Sequence, residues 1–325
     1  MQPEPFQPAA PSAPAVSYHE APTARLLNDP CALAVLDFSH APTTTGDPRA
    51  LTLQLPPWQG RDVREVWRVP DPVTCGEDGT VRHARGGGWL LTSVCQPDDG
   101  RDAVTVATSA YRCLTEYLRT QPEYHVLRIW NYLDRINDGE GDQERYRQFC
   151  AGRLKGMGDY FAEGFPAATA IGHAQASGCL QVYCLAARMP GERIENPRQI
   201  SAWRYPRQYG PVSPSFARAM RLPAGDGLAI SGTAAIQGHA SRHEEDLDAQ
   251  LHETLTNLRS LLAAGNMADA LGPHSPLKVY VRHRQQMAQV DAFLATHLPD
   301  CPRLLVHADI CRSELLVEID GWCFG

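Results

Sequence analysis

Gly227-Leu-Ala-Ile-Ser-Gly-Thr-Ala234 and Leu277-Lys-Val-Tyr-Val-Arg282, with the leucine-rich residues 246–264 between them, decide the fold. The two outer runs are apolar and bounded by Gly, Pro and polar residues, as strands are. Between them Leu247, Leu251, Leu255, Leu258 and Leu262 recur at the spacing of one helix face. The same order occurs earlier in the chain. Gly88-Trp-Leu-Leu-Thr-Ser93 reads as the counterpart of the first strand and Leu127-Arg-Ile-Trp-Asn-Tyr132 as that of the second. Residues 102–120 supply the helix, through Val106, Ala110, Cys113, Leu114, Tyr117 and Leu118. Corresponding strands lie about 140–150 positions apart. A second helix follows in each half, at residues 143–161 and 287–298, and apolar runs at 179–187, 304–306 and 315–319 close the units. A β-α-β-α-β series that appears twice is a tandem duplication. The expected class is therefore α/β (α+β), two units with helices on one face of each sheet.

The expected boundaries follow from composition. Residues 1–25, rich in Pro, Ala, Ser and Gln, read as a flexible N-terminal extension. Residues 26–190 hold the first unit, preceded by short apolar runs at 32–38 and 50–55, and residues 191–325 hold the second. The polar, proline-interrupted residues 188–202 link them.

With 43% hydrophobic and 21% charged residues, the 325-residue chain has the composition of a globular protein with a sizeable core. It has no apolar run of membrane-spanning length, and its start lacks the basic-then-apolar pattern of a secretory signal, so a cytoplasmic location is expected. A net charge of −7 argues against nucleic-acid and anionic-membrane partners. The cations are almost all arginine, with only Lys155 and Lys278 as lysines. Arginine is the side chain suited to gripping carboxylates in bidentate fashion. The ten cysteines form no CxxC pair and no Cys/His group with zinc spacing, so free thiols and no metal are expected.

The chemistry is placed at the end of the second unit, in Arg303-Leu-Leu-Val-His-Ala-Asp-Ile-Cys-Arg-Ser-Glu-Leu-Leu-Val-Glu-Ile-Asp-Gly321. Two apolar runs are joined there by a polar bend carrying Asp309, Cys311 and Arg312, and Glu318 interrupts the second run. Two readings stand. In one the strand alternates, with Glu318 and Asp320 facing solvent. In the other it is buried on both faces, and a carboxylate inside it is costly unless paired or protonated, which would raise its pKa and suit it to general-acid work.

The second unit resembles a YjgF/RidA-type (chorismate mutase-like) domain. The likeness rests on Tyr209-Gly-Pro-Val-Ser-Pro, Ile230-Ser-Gly-Thr-Ala, residues 250–262, residues 277–281 and Leu316-Val-Glu-Ile-Asp. The longer blocks are narrower in meaning. Arg128-Ile-Trp-Asn-Tyr-Leu, Phe149-Cys-Ala-Gly-Arg153, Ala170-Ile-Gly, Glu195-Asn-Pro-Arg-Gln-Ile-Ser-Ala-Trp-Arg-Tyr-Pro-Arg-Gln-Tyr-Gly-Pro-Val-Ser-Pro-Ser-Phe-Ala-Arg218 and Ala308-Asp-Ile-Cys-Arg-Ser-Glu-Leu-Leu-Val-Glu318 resemble the chorismatase family.

That resemblance implies an enzyme acting on chorismate, a small dianion, without cofactor. Some members hydrolyse chorismate to a dihydroxycyclohexadiene carboxylate. Others release pyruvate and aromatise the ring, and these carry a cysteine where Cys311 stands. A product of 3-hydroxybenzoate, with 4-hydroxybenzoate as a second one, is therefore implied, of the kind that feeds ubiquinone or pigment formation. Glu318 is implied as the acid and Cys311 as the group directing aromatisation. Tyr205 and Arg218 are assigned to one substrate carboxylate and Arg153 to the other, with Arg204 and Arg312 completing the set. Simple YjgF/RidA proteins are trimeric imine/enamine deaminases with sites between subunits. A fused duplication can place such a site between its own halves, so a monomer is expected, with a trimer as the alternative.

Overall fold

The computed structural model describes residues 11–39, 45–98, 100, 102–173, 176–223, 225, 227–267 and 270–325. The chain begins with β1 (Ala15–His19), α1 (Thr23–Leu26), β2 (Ala32–Phe38), β3 (Ala50–Thr52) and β4 (Val63–Arg68). The first unit runs through β5 (Thr74–Asp78), β6 (Val81–Gly86), β7 (Trp89–Pro97), α2 (Ala103–Arg119), β8 (His125–Asp134), α3 (Arg145–Met157), β9 (Ala167–His173) and β10 (Cys179–Ala187). The second runs through β11 (Glu192–Ile194), β12 (Ala219–Arg221), β13 (Gly227–Thr233), the small hairpin β14 (Ile236–Gln237) and β15 (Ala240–Ser241), α4 (Leu247–Ala264), β16 (Leu277–Val281), α5 (Met287–His297), β17 (Arg303–Ile310) and β18 (Val317–Phe324).

The duplication is visible in the sheet. Its twelve strands run β11-β12-β13-β18-β16-β17-β9-β8-β10-β7-β6-β5, so β13-β18-β16-β17 mirrors β7-β10-β8-β9 about the β17–β9 pair. Each half contains one parallel pair, β8 with β9 and β16 with β17, bridged by a helix. The halves join antiparallel through Asp309 opposite Gly172. Instead of two separate sheets, the edges fuse, and neither half leaves an unpaired strand at the join.

The helices obey local rules. Asp102 caps α2 by accepting the Thr105 amide at 2.9 Å, and Asp246 caps α4 through Ala249 at 3.0 Å. On α3, Gly152 and Gly156 face α2 so closely that a Cβ at either would overlap the Val104 or Thr108 carbonyl. That approach fixes α3, and with it Tyr146 and Arg153.

Helices cover one face of the large sheet, with a leucine-rich core under α4 and α5 and an aromatic-rich one under α2 and α3. The other face is covered by a four-stranded sheet, β1-β4-β2-β3, and between the sheets lie Trp67, Trp130, Tyr183 and Trp322. This layer is where composition misled. The described part of residues 1–25 includes β1, which pairs along its whole length with β4, so its residues are ordered by a ladder that lies far ahead in the sequence. Residues 1–10 lie outside the described residues. Residues 32–68, placed with the first unit, belong instead to this separate sheet. The linker is likewise structured, since β11 pairs with β12.

Candidate active site

The site forms where the two halves meet. Strand β18 alternates, sending Val317 and Ile319 toward the helices, while Glu318 points into a cavity of about 270 Å³. Both faces are covered, so Glu318 and Asp320 are buried, 5% and 0% exposed, and the solvent-facing reading of these acids is wrong. Burial, and next to it the Asp320 carboxylate, push Glu318 up to about 8, against the pull of Arg128, Arg218 and Arg282. Its carboxyl fits because position 232 is glycine. A Cβ there would overlap Glu318 Oε1.

The Gly232 amide donates to Thr169 Oγ1 at 2.9 Å, and that hydroxyl donates to Asp320 at 2.8 Å. Gly232→Ala should therefore displace the Glu318 carboxyl and lower turnover at least 100-fold, with a circular-dichroism spectrum like that of the parent. Parent-level activity would show that the carboxyl's position does not matter.

Cys311 opens the bend between β17 and β18, with its Sγ 4.0 Å from Glu318 Oε2. Asp309, which the sequence placed in this bend, belongs to β17. The bend is held by Arg282 at the end of β16. Its guanidinium donates to the carbonyls of Leu315, Ile310 and Arg312 at 2.8–2.9 Å and to Asp309 at 2.9 Å. From α4, Gln250 Nε2 donates to the Glu314 carbonyl and its Oε1 accepts the Leu316 amide, each at 2.9 Å. Burial, then the nearby Glu318, raises the Cys311 thiol well above its ordinary value, so it carries its proton at neutral pH.

Two arginines face the cavity with donors to spare. Arg153, on α3, is 3% exposed, and its Nε and Nη2 are buried without a hydrogen-bond partner. Arg218 gives one Nη2 to Tyr205 OH and to the Ile200 carbonyl, both at 2.8 Å, and leaves Nε unpartnered. A buried cation with free donors is costly on its own, and an anion in the cavity would offset that cost. Arg312 also lines the cavity, but it is spent on the protein. It lies 4.0 Å from the Tyr209 ring centroid and donates to the His239 carbonyl and Ser241 Oγ at 2.9 and 3.0 Å. Arg204 is exposed and is not among the lining residues, because it sits on the outer side of a short turn whose next residue, Tyr205, points inward.

Sequence reading missed Tyr146, Thr169, Phe216 and Tyr209 as cavity walls. Tyr146 was recoverable, since Tyr146, Cys150 and Arg153 share one helix face at i, i+4 and i+7. Thr169 was not, because β9, with three alanines and a glycine among its seven residues, lacks the run of bulky apolar side chains that marks a strand.

A sequence model of the N-terminal part of FkbO/Hyg5-like chorismatases matches residues 65–186. A 3-hydroxybenzoate synthase of Streptomyces hygroscopicus is 37% identical over 276 residues, which are 79% of this chain and 80% of that protein. The chain belongs to the chorismatase family. A chorismatase of Streptomyces rapamycinicus is 36% identical over 277 residues, covering 79% of this chain and 81% of the relative. A chorismatase crystal structure superposes on 97% of this chain and 100% of its own, with a TM-score of 0.84 and 30% identity. The protein is thus an enzyme of the chorismatase class. Among its described residues no group of His, Cys, Asp and Glu is arranged to hold a metal, and no helix is long and apolar enough to cross a membrane.

Proposed function

We propose that this chorismatase converts chorismate to 3-hydroxybenzoate and pyruvate, with Glu318 as the acid. The observation that carries the reading is a buried carboxyl, its pKa raised by that burial, 4.0 Å from a cysteine thiol in a cavity with two under-used arginines. Chorismate carries a ring carboxylate and an enolpyruvyl carboxylate, and two separated cationic clamps fix its register as well as its affinity.

Glu318 gives its proton to the enol-ether methylene, turning the side chain into an oxocarbenium ion. The oxygen on ring carbon 4 then attacks ring carbon 3. The bond from carbon 3 to the ether oxygen breaks, that oxygen leaves as the keto oxygen of pyruvate, and the hydroxyl proton restores Glu318. The resulting arene oxide opens at its bond to carbon 4, its oxygen takes a proton, and loss of the proton on carbon 3 completes the aromatic ring. Cys311 serves these last two transfers. Because its thiol is held protonated, it acts as a proton relay and not as a standing thiolate nucleophile.

The hydrolytic branch of the family differs only in that water captures the oxocarbenium carbon. Purified protein given chorismate should release pyruvate and 3-hydroxybenzoate in equal amounts, read by mass spectrometry. A dihydroxycyclohexadiene carboxylate in place of the aromatic acid would overturn the aromatising assignment. In Cys311→Ala, pyruvate release should persist while the aromatic share of product falls several-fold. An unchanged aromatic share would remove the cysteine from the reaction.

A further inference from the structure

The strands behind Glu318 carry a set of buried charges that the reaction does not touch. Asp320 Oδ2 accepts from Arg128 Nη2 at 3.1 Å, Trp130 Nε1 at 3.0 Å, Thr169 Oγ1 at 2.8 Å and Tyr280 OH at 3.2 Å. Its other oxygen, Oδ1, makes no hydrogen bond and faces Lys278 Nζ at 3.6 Å. The lysine is held nearer a different acid, for Lys278 Nζ donates to Glu65 Oε2 at 2.8 Å. Glu65 lies on β4 of the four-stranded sheet, and its second oxygen accepts Trp67 Nε1 at 2.7 Å. All four charged side chains are fully buried. The lysine therefore gives its hydrogen bond to Glu65 and meets the acid beside Glu318 through charge alone, at the longer distance.

We infer that Glu65 is a remote positioning residue for the proton donor: by holding Lys278 away from Asp320, the N-terminal sheet keeps the Asp320 charge under-neutralised behind Glu318. The inference rests on the reading of Glu318 as the acid. Two observations connect the network to the site. Asp320 raises Glu318 through its charge, second only to burial. The chain Asp320–Thr169–Gly232 also ends at the backbone atom beside which the Glu318 carboxyl lies.

The other groups facing these acids do not change the sign. Arg128, Arg218 and Arg282 pull Glu318 down, and a guanidinium as a class does not change charge in the working range. Cys311 and Tyr146, both beside Glu318, are raised and remain neutral. Tyr18 on β1, Tyr132 on β8, Tyr183 on β10 and Tyr280 on β16 face Glu65 or Asp320, and all are raised by burial first.

In Glu65→Gln the lysine loses its full partner and turns to Asp320. Glu318 then ionises more readily, so the alkaline limb of the kcat–pH profile moves to lower pH. Turnover should be close to parental at pH 6 and several-fold lower at pH 8.5. The double variant Glu65→Leu/Lys278→Met removes the pair as a neutral unit, a change that buried pairs commonly tolerate, so it also serves if the single variant does not fold. It leaves Asp320 without the lysine, and its limb should move to higher pH. Opposite displacements support the inference. Limbs coincident with that of an active parent overturn it, since a purely structural link would alter stability and leave the limb in place. A parent that releases no pyruvate from chorismate would instead refute the functional reading beneath it.

Discussion

Glu318→Gln lowers kcat for pyruvate release by about 10²–10⁴-fold, the contribution expected of a positioned general acid. Glutamine keeps the shape of the side chain and cannot protonate a carbon. KM should change little, because the carboxyl is not one of the anion clamps. The parent enzyme gives the matching pH signature. Its acid must be protonated to work and is held up to about 8, so kcat stays flat through neutral pH and falls as pH rises through that value.

Stability follows the same sign. The folded-state pKa lies above the unfolded value, so the stabilising share of this group is complete below the usual glutamate range and is lost as pH rises toward 8. Glu318→Gln should therefore melt higher than the parent at pH 9 and show a smaller gain at pH 5. Calorimetry and stopped-time pyruvate assays read both. A variant retaining a tenth or more of parental kcat would remove Glu318 from the proton-donor role.

Arg153→Met raises KM for chorismate by about 10²-fold or more, as loss of one partner of a buried charge pair does. The expectation rests on what Arg153 does not do. Its Nε and Nη2 bond to nothing in the protein, and its guanidinium lies 5.3 Å from the Tyr111 ring centroid. Removing it breaks no internal hydrogen bond at those atoms and relieves a buried cation, so the melting temperature should hold or rise. Arg218 is the contrast, since it also ties Tyr205 and the Ile200 carbonyl, and its loss should lower stability together with affinity. Titration of the variant by calorimetry with a non-reacting dicarboxylate of similar span separates binding from turnover. Unchanged affinity would show that the anion is held elsewhere.

The duplicated units were legible because their signals are local. Leucines at helical spacing, capping aspartates and apolar runs of strand length are written within a few residues of each other, and the repeat confirms each reading with a second copy. Strand β10, expected at 179–187, spans Cys179–Ala187. The four-stranded sheet was not legible for the opposite reason. β1 is short and flanked by prolines, and it becomes a strand only through β4, about fifty residues on.

At the site, the types of Glu318, Cys311, Arg153, Tyr205 and Arg218 could be named from their motifs, and all five line one cavity. Arg204 sits in the same motif and points away, because a one-residue step along a turn reverses the side chain's direction.

The sequence by itself determined the tandem α/β architecture, the family, and the place of an awkward glutamate in the last strand. It could not decide whether that glutamate met water or protein, since alternation along a strand tells which residues share a face and not what covers it. Only the tertiary structure supplied the cover. Glu318 faces a cavity walled by residues of both halves, and further along the same face of β18 Trp322 meets a second sheet formed by the N-terminal segment, where Lys278 pairs with Glu65, 213 positions away. A pKa is a property of surroundings, and those of Glu318 are brought together from strands and a helix distant in the sequence.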